Sequence, residues 1–161
     1  MKHETALGTQ LQDLLDWKQA HVGFDDAVKG VPPKLRGAVP AGFEHSVWQL
    51  VEHLRIAQHD ILDFSRNPRY KAKKWPDDYW PSSPAPSSLA AWTGSLASYR
   101  RDRRAMQRFA ADARIDLFAK IPHGSGQTYL REILLVVDHV AYHIAQVVDV
   151  RRALGDWKPR S

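Results

Sequence analysis

Residues 134–146 read LLVVDHVAYHIAQ, and this apolar segment carries the clearest structural signal in the 161-residue chain. His139 and His143 are four residues apart, which is close to one helical turn, so both imidazoles lie on one face of a helix. A buried pair of imidazoles without a partner is costly. The segment therefore predicts either a metal ion bound by both rings or two core histidines hydrogen-bonded to carbonyls or carboxylates.

A second helical segment, residues 46–62, supplies a third histidine. Its core-facing stripe consists of Leu50, His53, Leu54, Ala57, Ile61 and Phe64. His59 falls off that stripe and is predicted to lie on the surface. If the two helices pack side by side, His53 joins His139 and His143 as a set of three nitrogen ligands with open positions for water or substrate. The alternative is still a hydrogen-bonded core.

Composition narrows the class of protein. Hydrophobic residues make up 43% of the chain, which excludes disorder, and the length fits one domain over residues 1–161. No apolar run is expected to approach the length that spans a bilayer, and the N-terminus lacks the apolar core of a signal peptide, so a soluble, cytoplasmic protein is predicted. The chain has no cysteine. Any thiol chemistry must therefore come from a substrate or cofactor.

The net charge of +5 is concentrated in two basic runs, residues 66–74 and 100–104. Such runs can bind phosphates, but they more often form solvent-exposed surface. The second run is also interrupted by the acidic residue Asp102. No known nucleic-acid-binding motif accompanies the charge, so nucleic-acid binding is not expected.

Apolar periodicity predicts four long helices, over residues 4–22, 46–65, 88–112 and 128–154. The pattern of the first also allows an extension through Phe24 to Val28. Ser46 and Gln49 form a capping-box pattern at the start of the second helix. The expected fold is all-α, a four-helix bundle with long connections between helices one and two and between helices two and three.

The connection over residues 67–87 contains five prolines and four aromatic residues, Tyr70, Trp75, Tyr79 and Trp80. Long irregular segments in compact domains are usually functional or disordered. The aromatic residues favour an ordered lid across one end of the bundle. The alternative is an aromatic cover that only seals the core.

Two metal-site classes are excluded by the motifs themselves. The pair reads HVAYH and not HExxH, so the general base of a zincin protease is missing, and the absence of ExxH pairs argues against a di-iron bundle. Glu132, His139 and Gln146 are spaced by seven and share a face. Either Glu132 or Gln146 is a candidate for fixing an imidazole tautomer or positioning a water, and both also suit the polar edge of a core.

The order of these motifs resembles the DinB-like superfamily of metal-binding four-helix bundles, over nearly the whole chain. The resemblance rests on residues 46–60 with His53, on Tyr79-Trp80-Pro81, on residues 123–128 and on the His139–His143 helix that ends at Gly155. It implies that His53, His139 and His143 bind a divalent metal, most often zinc or nickel. It also implies a homodimer, because members of the family are commonly homodimers.

Characterised relatives include thiol-dependent transferases and isomerases, so the resemblance implies a low-molecular-weight thiol that attacks a small electrophile beneath the aromatic loop. His123 and Asp60 are candidates for moving a proton, and both also suit turn or capping roles. One alternative is a metal-dependent hydrolase with Glu132 as the base. Another is a non-catalytic bundle whose metal only joins helices two and four.

Overall fold

In a computed structural model that describes residues 2–16 and 20–157, the chain forms five α-helices and no β-strand within those residues. They are α1 (Lys2–Leu14), α2 (Phe24–Val28), α3 (Val47–Arg66), α4 (Leu89–Ala110) and α5 (Tyr129–Ala153). Short 3-10 turns lie at Pro33–Leu35 and Asp77–Tyr79, and an isolated bridge pairs Lys120 with Thr128. The predicted all-α class is confirmed.

Local sequence signals set the ends of the three longest helices. At the start of α3, the Ser46 hydroxyl accepts from the amide of Gln49 at 3.1 Å, and the Gln49 side chain accepts from the amide of Ser46 at 3.0 Å. Thr128 caps α5 by a single bond, in which its hydroxyl accepts from the amide of Arg131. Gly155 follows α5 with a φ of +70°, the left-handed conformation that ends many helices. The predicted bounds of these three helices agree with the structure to within two residues.

The prediction for the first helix is wrong at its C-terminal end. α1 stops at Leu14, and the chain then turns; residues 17–19 of the predicted helix lie outside the described residues. The extension to Val28 is replaced by a separate helix, α2, that begins after Gly23. The break has a packing reason, since Phe24 stacks on Tyr99 of α4 with ring centroids 3.8 Å apart. If α1 continued as one helix to Val28, Phe24 would stay in line with the α1 axis and away from this stacking position.

The core brings α3 and α5 together. α3 packs against both α4 and α5, α1 packs mainly against α4, and α2 packs against α5. Leu50 and Leu54 of α3 and Ile144 and Val147 of α5 are buried in one hydrophobic cluster. As a result, the helical faces that carry the predicted histidine ligands point toward each other.

Helix α5 is long and apolar enough to cross a membrane by length and composition alone. This corrects the expectation that no apolar run approaches that length. Within the molecule, 44% of its most apolar window is buried, and core helices of soluble proteins have the same length and composition. α5 is therefore not clearly a membrane span.

Candidate metal centre

Three histidines from two helices meet at one point. His53 of α3 is 2% exposed, and His139 and His143 lie one turn apart on α5. One nitrogen from each ring can be chosen so that all three lie within 4.8 Å of one another, and Nε2 of His53 is 2.9 Å from Nε2 of His139. The structure thus brings together the three residues predicted as ligands, in an arrangement that could hold a metal ion.

Hydrogen bonds on the outer side of two rings orient their inner nitrogens. Nδ1 of His53 donates to the carbonyl oxygen of Tyr79 at 3.0 Å, and Nδ1 of His143 lies 2.6 Å from the side-chain oxygen of Gln146. Because these oxygens only accept, each Nδ1 carries the hydrogen, and in the neutral ring Nε2 keeps its lone pair. Histidine ligands of metals are held in this way, so the donor set fits a divalent cation.

Burial also keeps the rings in the form that binds metals. It lowers the pKa of His139 to about 3, with a further contribution from the neighbouring His143 and His53. Burial lowers the pKa of His143 to about 4, although the hydrogen bond to Gln146 acts in the opposite direction. The pKa of His53 is lowered for the same reason, against the hydrogen bond to Tyr79. All three rings are therefore neutral at neutral pH, as metal ligands must be.

The irregular connection between α3 and α4 packs onto this cluster through Trp80. Its indole stacks on His53 with centroids 3.9 Å apart and an interplanar angle of 1°, and it stacks on His45 at 4.0 Å. Trp80 therefore fixes the plane of the His53 ring. The sequence predicted that Trp80 lies in an ordered aromatic segment. The spacing of residues did not predict that Trp80 stacks on His53 and His45.

A cavity of about 450 Å³ lies beside the cluster, and His53 and His139 form part of its wall. Two of the predicted proton-transfer candidates, Asp60 and Glu132, also line it. Glu132 is 2% exposed and its carboxylate is 2.6 Å from the guanidinium of Arg131. Two of the three predicted ligands, His53 and His139, and two candidate acids or bases thus line one cavity.

Two tyrosines of the connection between α3 and α4 form hydrogen bonds with Asp60. The hydroxyl of Tyr79 donates to its carboxylate at 2.6 Å, and the hydroxyl of Tyr70 donates at 3.1 Å. Burial and the Asp60 charge raise the pKa of Tyr70 to about 12, so this phenol stays protonated as a donor. Asp60 and His53 therefore both bind Tyr79, one through its hydroxyl and the other through its carbonyl.

His123 is not among the residues that line the cavity. Its Nε2 donates to the carbonyl oxygen of Phe64 at 2.7 Å, near the end of α3, and its ring is exposed. This is the capping role that the sequence offered as the alternative for this residue. His59 is exposed, as predicted, and its Nδ1 lies 3.0 Å from the carboxylate of Asp102.

Comparison with known protein families identifies the family of this chain. The family model described as the DinB superfamily matches residues 16–147, which is most of the chain. No curated protein and no solved structure matches the chain.

Proposed function

The chain belongs to the DinB superfamily, and from that premise we propose that it binds zinc or nickel through His53, His139 and His143 and acts as a thiol-dependent transferase or isomerase on a small electrophile. In this proposal α1, α3, α4 and α5 form a four-helix bundle in which α3 and α5 supply the ligands. The protein acts in the cytoplasm as a homodimer.

The observation that carries the proposal is the cavity at the histidine cluster. A metal with a purely structural role is usually enclosed by four protein ligands, whereas a catalytic metal keeps an open position. Here three imidazoles converge, and two of them, His53 and His139, are also walls of a 450 Å³ cavity. A small molecule in this cavity would reach the open position directly.

The donor set supports a thiol as the fourth ligand. Three neutral imidazoles leave the charge of a divalent cation uncompensated, and a thiolate suits zinc or nickel well. The chain has no cysteine that could supply one. When bound, the metal would favour the thiolate form of an external thiol.

The residues of the chain have defined tasks in this reaction. The thiol proton passes to a base, for which Glu132 lies in the cavity on the same helix as His139. The sulphur forms a bond to an electrophilic carbon, and the leaving group departs with the electron pair of the bond that breaks. Aromatic side chains such as Trp75 and Tyr79 line the space where the electrophile would lie and exclude water from it.

Glu132 also supports one alternative, metal-dependent hydrolysis, in which water replaces the thiol as nucleophile. A thiol titration of the cobalt-loaded protein separates the two. We expect 2-mercaptoethanol to produce a thiolate-to-cobalt absorption band that ethylene glycol does not produce. His139→Ala should abolish the band, and His59→Ala, which removes an exposed histidine of α3, should retain it. A cobalt spectrum that no thiol perturbs would contradict the thiol-dependent reaction and favour hydrolysis.

A further inference from the structure

The cavity beside the histidine cluster contains a buried carboxylate without a cationic partner. Asp60 is 7% exposed, and its hydrogen bonds come from the uncharged hydroxyls of Tyr70 and Tyr79. Among the side chains that the structure describes, no lysine, arginine or histidine forms a salt bridge with it. Buried carboxylates are rarely left without a counter-charge. Two hydroxyl donors also leave acceptor sites free on the two oxygens.

Aromatic rings surround this carboxylate in the cavity wall. Phe64 and Tyr70 are in edge contact with centroids 5.2 Å apart, and Trp75 and Tyr79 have centroids 5.3 Å apart. The faces of aromatic rings carry negative electrostatic potential and attract cations, and indole does so most strongly. Trp75 is 68% exposed, so its ring is not consumed by packing in the core.

The other charged groups of the cavity wall cancel. The carboxylate of Glu132 is paired with the guanidinium of Arg131, 2.6 Å away, and the lining histidines His53 and His139 belong to the candidate metal site, where imidazoles bind as neutral rings. The charge that the protein itself offers to a ligand is therefore the single negative charge of Asp60. An anionic or neutral head group would gain nothing from it.

We infer that this cavity contains an ammonium subsite, in which the protonated amino group of a small ligand binds between Asp60 and the aromatic side chains. The ligand class is a primary amine with an apolar spacer. Asp60 follows His53 by seven residues, or about 10 Å along the axis of α3, so the spacer needs several methylene groups to reach the histidine cluster. The inference deepens the proposed function, because it rests on that function for the other end of the ligand and makes the substrate or thiol amine-bearing.

The subsite is tested without any thiol, by calorimetric titration of the zinc-loaded full-length chain with n-hexylammonium and with 1-hexanol at neutral pH. We expect hexylammonium to bind about tenfold more tightly than hexanol, because only the cation interacts with the carboxylate and the ring faces. The preference should persist when a chelator removes the zinc. Equal affinity of the two ligands would overturn the inference.

Two variants separate the subsite from a general effect of charge. Asp60→Asn should abolish the preference for hexylammonium. Asp149→Asn, which removes the same charge from an exposed position of α5, should retain it. If Asp60→Asn does not fold, Trp75→Leu serves instead, because an exposed side chain is removed. It should weaken hexylammonium binding about two- to fivefold and change hexanol binding less. An unchanged preference in either Asp60→Asn or Trp75→Leu would contradict the assignment.

The two proposals fail in different measurements. If hexylammonium shows no preference but thiols still perturb the cobalt spectrum, the ammonium subsite is wrong and the thiol-dependent reaction stands. If hexylammonium binds through Asp60 but no thiol perturbs the metal, the cavity is an amine site and the thiol chemistry is wrong.

Discussion

Two of the three imidazoles in the cluster, those of His53 and His143, are held by groups that contact them from outside. Tyr79 and Gln146 accept hydrogen bonds from the outer nitrogens of His53 and His143, and Trp80 holds the plane of His53 by stacking. These contacts fix tautomer and ring orientation before any metal binds. The conformational entropy of these side chains is therefore lost when the protein folds, and metal binding does not have to order them.

Gln146→Leu tests this preorganisation with little change in side-chain size. The variant leaves Nδ1 of His143 without its acceptor, so the ring loses its fixed tautomer. Loss of such an outer contact typically costs about 10–100-fold in metal affinity, and we expect a decrease in that range. Competition with a chromophoric zinc chelator measures it. Gln49→Leu, which alters a glutamine of the capping box and not of the cluster, should leave zinc affinity unchanged.

The buried histidines also predict how stability depends on pH. In the unfolded chain a histidine titrates near 6.5, whereas the fold holds the pKa of His139 at about 3 and that of His143 at about 4. Between these values the unfolded chain binds more protons than the folded one. The free energy of unfolding must therefore fall as the pH falls from about 6.5 toward about 4, by at most about 1.4 kcal/mol per pH unit for each histidine.

Urea unfolding of the metal-free protein at about pH 7 and about pH 5 measures this loss of stability. His143→Gln removes one of the titrating groups and should lose less stability over the same interval. His59→Gln, at an exposed histidine, should behave like the wild type. A wild-type protein that is equally stable at the two pH values would contradict the buried, neutral state of the cluster.

Among the helices, α3 has the strongest start signal, and this start is tied to the loop that covers the site. Ser46 is fully buried, caps α3 through Gln49 and also donates to the carbonyl of Pro84 in the connection to α4. Ser46→Ala should destabilise the fold by about 1–2 kcal/mol, because it removes a cap and leaves the Pro84 carbonyl without its donor. Ser88→Ala removes only the N-cap of α4 and should cost less, about 0.5–1 kcal/mol. Chemical unfolding compares the two, and equal costs would contradict the link to the loop.

Sequence periodicity correctly predicted the features that depend on a single helix. The capping box at Ser46, the bounds of α3, α4 and α5, and the face that carries His53 all follow from local spacing. The end of α1 did not, because the break before Phe24 depends on the stacking partner Tyr99, which is 75 residues away along the chain. The contacts of Trp80 with His53 and of Tyr79 with Asp60 were hidden for the same reason, since a loop has no periodicity that aims its side chains.

In the molecule as a whole, part of the basic charge is used internally. Arg103 has a side chain that is 8% exposed and lies between Asp16 and Asp25, with a 2.8 Å contact to each, and Arg100 also pairs with Asp25. The second basic run thereby joins α4 to α2 and to the turn after α1. Removing Arg103 would leave two carboxylates near the core with less counter-charge.

The predicted homodimer requires an exposed apolar surface at which two copies can pack. Trp48 and Trp92 are buried in the core, and Trp75 is the only largely exposed tryptophan among residues 2–16 and 20–157, so tryptophans offer little surface for an interface. Helix α5 is a better candidate for the interface. Leu134 is 44% exposed and Tyr142 is 63% exposed on this predominantly apolar helix.

We therefore expect α5 to lie in a two-fold interface and Tyr142 to pack in it, beside His143 of the candidate metal site. Light scattering at micromolar concentration should give the mass of a dimer. Tyr142→Glu should raise the dissociation constant of the dimer about tenfold or more, because burial of the new charge opposes association. Phe118→Glu places the same charge on an equally exposed aromatic residue outside α5 and should leave the dimer intact. A wild-type monomer would contradict the prediction, and a dimer insensitive to Tyr142→Glu would place the interface elsewhere. Because Tyr142 and His143 are adjacent, dimerisation through this face would also restrict the motion of the turn of α5 that carries His143.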